Sequence, residues 1–124
     1  MNKAIIGLAS NRNNGDIILK HAITELMHDC ISARFSECYR TIPIGTCSKR
    51  NYWNCTGIIE TELDLNQLKK LYKTMEKQAG RMPDSNQTGD IPLDIDIVVW
   101  NSNIIRPYDW EQSYFQKGLN MISD

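Results

Sequence analysis

Asp94 and Asp96 stand two residues apart in Leu93-Asp94-Ile95-Asp96-Ile97-Val98-Val99-Trp100, the clearest strand pattern in the chain. A period of two sends both carboxylates to one face, and Leu93, Ile95 and Ile97 to the other. Adjacent carboxylates raise the cost of ionising each other, and a cation relieves that cost. Hard oxygen donors of this kind suit Mg²⁺, which also takes phosphate oxygens and keeps several waters. Two such ions clamp the attacking and leaving oxygens of a phosphoryl transfer. Taken alone, Asp-x-Asp more often marks the wet side of an amphipathic strand, so other segments must decide.

The remaining candidates for chemistry are few. Cys30, Cys38, Cys47 and Cys55 are separated by 8, 9 and 8 positions, with no Cys-x-x-Cys pair for zinc or redox work. Reduced thiols, some packed as small apolar side chains, are expected. His21 and His28 are seven apart, two helical turns, too far to grip one metal; both are expected on the surface. Lys and Arg total 14 against 15 Asp and Glu in 124 residues, which argues against a nucleic-acid module held by bulk charge and leaves room for a local basic patch. That length suits one domain spanning residues 1–124. The apolar runs fall far below the ~20 residues of a membrane helix, and Ala4 to Ala9 falls short of the ~7–15 of an export signal. A cytoplasmic monomer without nucleic-acid or membrane partners is the expectation.

Periodicity supplies the scaffold around the aspartates. Lys3 to Leu8 reads as a buried strand, and Ile18, Leu19, Ala22, Ile23, Leu26, Met27 and Cys30 as one face of a helix. Arg34 to Arg40 reads as a strand with an irregularity, broken by Thr41-Ile42-Pro43-Ile44-Gly45 because Pro43 lacks an amide donor. Thr46 to Asn51 reads as a loop and Tyr52 to Thr61 as a strand. Asp64 and Gln67 form a capping box before the stripe Leu68, Leu71, Tyr72, Met75 and Ala79, with Gly80 as the stop. Arg81 to Pro92 has no clear period, and Tyr108 to Leu119 is only weakly amphipathic. The order β-α-β-β-α-β predicts an α+β, ferredoxin-like fold: an antiparallel sheet with both helices on one face. The other face is left for a ligand or for the C-terminal segment.

Several blocks occur together in one order: Ser10-Asn11, Tyr39-Arg40-Thr41 with Pro43 and Gly45, Tyr52-x-Asn54, Glu76 with Gly80-Arg81, and Leu93-Asp94-Ile95-Asp96-Ile97. In this arrangement the chain resembles the 6-hydroxymethyl-7,8-dihydropterin pyrophosphokinase family from about residue 4 to 104, with a weaker echo to Phe115. The resemblance implies a Mg²⁺-dependent ATP diphosphotransferase of folate biosynthesis, which moves diphosphate from ATP to the pterin hydroxymethyl group and releases AMP. It implies two Mg²⁺ ions on Asp94 and Asp96, catalytic roles for Asp94, Asp96 and Arg81, and nucleotide contacts from Glu76 and Arg81. It also implies a pterin site at Thr41, Pro43, Ile44, Tyr52, Asn54 and Phe115. Each of these has a plainer reading: Tyr52 and Asn54 as strand-face residues, Phe115 as core.

The departures are concentrated between Arg81 and the C-terminal segment. Pro83 and Ile91 stand where family arginines are expected, Thr88 replaces an aromatic, and Ile105-Arg106-Pro107 leads into Tyr108-Asp109-Trp110 without the family's Pro-His segment. Neither Pro nor Ile imitates the planar fork with which arginine neutralises phosphate. Lys49, Arg50, Arg106 and Lys117 are the available replacements. Two functional readings are open, the pyrophosphokinase itself and a non-catalytic pterin- or partner-binding module with a degraded ATP site. An RNA-binding sheet is the weakest alternative, since no basic Gly-aromatic block is present.

Overall fold

The computed structural model describes residues 1–41 and 51–123. Along the chain run β1 (Asn2–Ser10), α1 (Gly15–Met27), β2 (Ser32–Phe35), β3 (Tyr39–Thr41), β4 (Tyr52–Thr61), α2 (Leu65–Gln78) and α3 (Ser85–Thr88). They are followed by β5 (Asp94–Trp100), β6 (Asn103–Ile104), α4 (Pro107–Glu111) and α5 (Ser113–Ile122). The sheet order is β2-β4-β1-β5-β6, with β3 also on β4, and each pairing is antiparallel. This is the expected βαββαβ arrangement of an α+β, ferredoxin-like fold.

The helices α1 and α2 share one face of the sheet because alternate strand residues meet their apolar stripes. Ala4, Ile6 and Leu8 of β1, Cys55 and Ile59 of β4, and Ile95 and Ile97 of β5 pack with Leu19, Ala22 and Leu26 of α1 and Leu68, Tyr72 and Met75 of α2. Each large apolar side chain buried there stabilises the fold by about 1.5–3 kcal/mol. The capping box of α2 is formed: Gln67 N–H donates to Asp64 Oδ1 at 2.8 Å, and Asp64 N–H to Gln67 Oε1 at 2.9 Å. Past the C-cap Ala79, Gly80 takes a positive φ of 104°, which ends the helix at low cost. Cys30, Cys38 and Cys55 are free thiols, and exposed His21 pairs with Glu25.

Three features differ from the periodic reading. The irregularity expected in Arg34 to Arg40 divides the strand in two: from Phe35↔Gly57 to Tyr39↔Asn54, four steps on one side oppose three on β4. Ser36 fills the bulge, its N–H donating to Thr56 O at 2.8 Å and its Oγ accepting Thr56 N–H at 2.9 Å. Asn101 and Ser102, with φ of 48° and 73°, make a two-residue hairpin turn into β6. Third, Tyr108 to Leu119 divides between α4 and α5, which cover part of the second face of the sheet through Val98, Val99, Phe115 and Leu119. The break, loop and substitute cations read at Ile42 to Arg50, including Pro43, Ile44, Cys47, Lys49 and Arg50, lie outside the described residues.

Candidate active site

A second bulge builds the site. Ile5 pairs with Val99 but Ile6 with Ile97, so Val98 is extra in β5. Asp94 and Asp96 lie opposite Ala9 and Gly7, on the face away from α1 and α2, while Val98 and Val99 both join the cluster under α5. The bulged residue also anchors the chain just past β6: Val98 O accepts Ile105 N–H at 2.9 Å and Arg106 N–H at 3.3 Å. Arg106 is thereby returned beside the aspartates, Nη2 lying 3.7 Å from Asp96 Oδ1. Bulges re-aim side chains in this way beside active sites.

Two concavities meet at the carboxylates. The first, about 200 Å³, is lined by Thr41, Tyr52 and Asn54 of β3 and β4, by Tyr114 and Phe115 of α5, and by Asp94, Asp96 and Arg106. Asn54 is buried, and its amide donates to the Thr41 hydroxyl. Cross-strand pairing opposes Tyr52 to Thr41. Phe115 is only 3% exposed, its ring edge lying where a Cβ added at Gly7 would meet it at 3.4 Å and its centroid 6.0 Å from that of Trp110. The second concavity, about 650 Å³, lies between α2 and the outer edge of β5, lined by Lys69, Lys73, Glu76, Arg81 and Ile105. Asp94, Asp96 and Arg106 line both.

The charges around the pair are unequal. Arg81 Nη1 donates to Asp94 Oδ1 at 2.8 Å and to Leu93 O at 3.3 Å, and lies 3.6 Å from Glu76 Oε2. Burial opposes ionisation of Asp94, but hydrogen bonds from Asp96 and Arg81 outweigh it and hold the Asp94 carboxyl below the usual range. At Asp96, burial and then the Asp94 charge push the carboxyl well above that range. A divalent cation between the two carboxyls would relieve this repulsion. Among the described residues no group of three or more His, Cys, Asp or Glu is arranged for a metal. Two carboxylates facing open pockets fit a hard cation that completes its shell with water and phosphate oxygens. Glu76 accepts Ile95 N–H at 2.8 Å, tying α2 to β5, and its burial raises its own carboxyl.

Comparison with known proteins gives this geometry a context. Residues 5–124 match the family described as 7,8-dihydro-6-hydroxymethylpterin-pyrophosphokinase. The chain belongs to this family. It is 34% identical over 112 residues to the 2-amino-4-hydroxy-6-hydroxymethyldihydropteridine pyrophosphokinase of Helicobacter pylori, covering 87% of this chain and 68% of that protein. It is 28% identical over 129 residues to the folic acid synthesis protein FOL1 of Dictyostelium discoideum, covering 96% of this chain and 20% of the relative.

Within this pyrophosphokinase fold, Thr41, Tyr52, Asn54, Phe115, Asp94 and Asp96 share the first pocket, and Glu76 and Arg81 line the second. Pro43 and Ile44 fall outside the described residues. Of the substitute cations, Arg106 reaches the pair, whereas Lys117 sits 5.1 Å over the Tyr39 ring. Ile91 is buried: its N–H donates to Asn11 Oδ1 at 2.8 Å and its carbonyl accepts Asn11 N–H at 2.9 Å. Arg12 grips Asp90 with Nε and Nη2 at 3.2 and 3.1 Å, fastening the same loop to the end of β1. Asp109 and Tyr114, absent from the motif reading, also line the first pocket. Their signal in the sequence was only a polar residue inside an aromatic segment.

Proposed function

We propose that the protein transfers diphosphate from ATP to the hydroxymethyl group of 6-hydroxymethyl-7,8-dihydropterin, releasing AMP. The observation that carries this reading is that Asp94, Asp96 and Arg106 line both concavities, so an acceptor in one and a triphosphate in the other meet at the carboxylates. Asn54 offers a donor and an acceptor to a heterocycle edge, while Tyr52 and Phe115 supply flat apolar walls. Lys69, Lys73, Arg81 and Arg106 bring four cations to the triphosphate side and offset its charge. The hydroxymethyl oxygen bonds to the β-phosphorus, the bond from that phosphorus to the α,β-bridging oxygen breaks so that AMP leaves with that oxygen, and the hydroxyl proton passes to solvent. When bound at Asp94 and Asp96, Mg²⁺ supplies charge neutralisation and polarises the phosphate oxygens. Rigid strands hold the two pockets in register, and such placement supplies much of the acceleration.

Incubation with Mg·ATP and the hydroxymethyl dihydropterin tests this directly. AMP appearing in step with pterin diphosphate supports the reading, and no AMP at enzyme concentrations equal to substrate overturns it. A second reading, a pterin-binding module without nucleotide chemistry, is favoured by one observation. Beyond Arg81, the loop to Ile91 is clasped to the body through Arg12, Asn11 and buried Ile91, and among the described residues it brings no further cation to the second pocket. Calorimetry separates the two, since the module binds pterin but not Mg·ATP.

A further inference from the structure

Asp109 commits both carboxylate oxygens inside the site. Oδ2 accepts from Arg106 Nε at 2.5 Å, and Oδ1 accepts from the Tyr114 hydroxyl at 3.0 Å. Its side chain is 16% exposed, against 48% for Arg106. Arg106 is thus fixed at its backbone by Val98 O and at Nε by Asp109, with Nη2 facing Asp96. A guanidinium carries five N–H donors; with Nε occupied, the Nη groups remain for the boundary between the pockets. An arginine this exposed would otherwise lose rotamer freedom on meeting an anion, and restraint beforehand lowers that cost.

We propose that Asp109 is a positioning residue: it fixes the Nε edge of Arg106 so that the Nη groups face the phosphates at the junction. Through Tyr114 it links that arginine to the wall of the first pocket. The identity of the anion rests on the reaction proposed above. Tyr114 takes part on both sides, because its carbonyl accepts the Tyr39 hydroxyl while its own hydroxyl reaches Asp109. Docking of α5 on β3, through the Tyr114 carbonyl, and placement of Arg106, through the Tyr114 hydroxyl, therefore share one residue.

The test is a double-mutant cycle on binding. Affinity for a non-hydrolysable Mg·ATP analogue is measured by calorimetry for the wild type, Arg106→Met, Asp109→Asn and the double variant, each with its melting temperature. Arg106→Met should weaken binding roughly tenfold, as expected for one charge-assisted contact, and Asp109→Asn about fivefold. The double variant should be no weaker than Arg106→Met alone. Additive losses, or wild-type affinity in Asp109→Asn, overturn the proposal. Should Asp109→Asn not fold, Tyr114→Phe replaces it, with about twofold weakening that disappears in the Arg106→Met background. A nucleotide-free readout stands beside these: ¹⁵N spectra should show an exchange-protected Arg106 Nε–H in the wild type that Asp109→Ala exposes. An unchanged resonance overturns the proposal. A wild type that does not bind the analogue sinks the reaction instead, and the Nε–H signal still decides whether Asp109 holds Arg106.

Discussion

The same three strands, β1, β4 and β5, serve two unlike faces. Toward α1 and α2 they send Ile6, Leu8, Ile59, Ile95 and Ile97 into an apolar layer. Toward α4 and α5 they send Asn54, Thr56, Asp94 and Asp96, and among the described residues Val98, Val99, Phe115 and Leu119 form a smaller buried cluster on that side. There α5 is held partly by polar groups, with Thr56 Oγ1 donating to Phe115 O at 3.0 Å and Tyr39 donating to Tyr114 O. A non-directional apolar layer closes over most of its area, and here, among the described residues, it opens toward the second concavity and a smaller cleft between α1 and α2. A layer fastened at a few hydrogen bonds leaves the remaining surface open, and the carboxylates sit in that opening. The apolar layer is thus concentrated on one face and the first pocket on the other, while the second pocket opens at the α2 edge of β5.

The most direct challenge to this division is at the carboxylates. Asp94→Ala or Asp96→Ala should lower AMP formation by at least ~10³-fold, about 4 kcal/mol at the transition state, while the protein stays folded. Their isosteres should part company in a thermal melt. Asp94→Asn should lose roughly 1–3 kcal/mol because Arg81 loses its charged partner, whereas Asp96→Asn should hold or gain because repulsion is relieved. Equal losses from both would make the pair structural. On the apolar face Leu19→Ala, fully buried in the wild type, should cost about 2–5 kcal/mol in denaturant unfolding. Pterin affinity per folded molecule should not change; a large change would join the two faces.

A smaller effect is expected at Gly118, where a Cβ would come within 2.4 Å of Thr56 Oγ1 and 2.7 Å of Tyr39 Oη. Gly118→Ala should cost roughly 1–3 kcal/mol by pushing α5 off the sheet and should weaken pterin binding. Loss of stability without loss of binding would show that α5 is not needed for the pocket. The smallest belongs to Tyr72, whose buried hydroxyl has no hydrogen-bond partner among the described residues. Tyr72→Phe should be neutral or stabilising by about 1 kcal/mol, and a clear loss would reveal a polar contact inside the apolar layer.

Where local pattern and tertiary demand agreed, the fold was legible. Asp64 and Gln67 start α2 by contacts three residues apart, and strict alternation across Leu93 to Ile97 puts both aspartates on one side. Where one extra residue enters a ladder, period-two reading keeps its parity and misses the shift, as at Val98. The clasp of Arg12 on Asp90 joins positions 78 apart in the chain, and no local spacing signals it. Arg106 could be named as a spare cation and Asp109 stands only three residues on, but that Asp109 holds Nε while Nη2 faces Asp96 depends on the Val98 bulge and on how Pro107 opens a five-residue helix.

Residue types in order were enough for the sheet, its apolar side and the placing of Asp94 and Asp96 together on the opposite side, because side-chain period is a property of the backbone itself. Packing in three dimensions was needed to make those carboxylates border two pockets, to turn Ile91 into a buried plug, and to return Arg106 to Asp96 in the grip of Asp109. Those outcomes depend on bulges and long-range hydrogen bonds, whose energies exist only after distant segments have met.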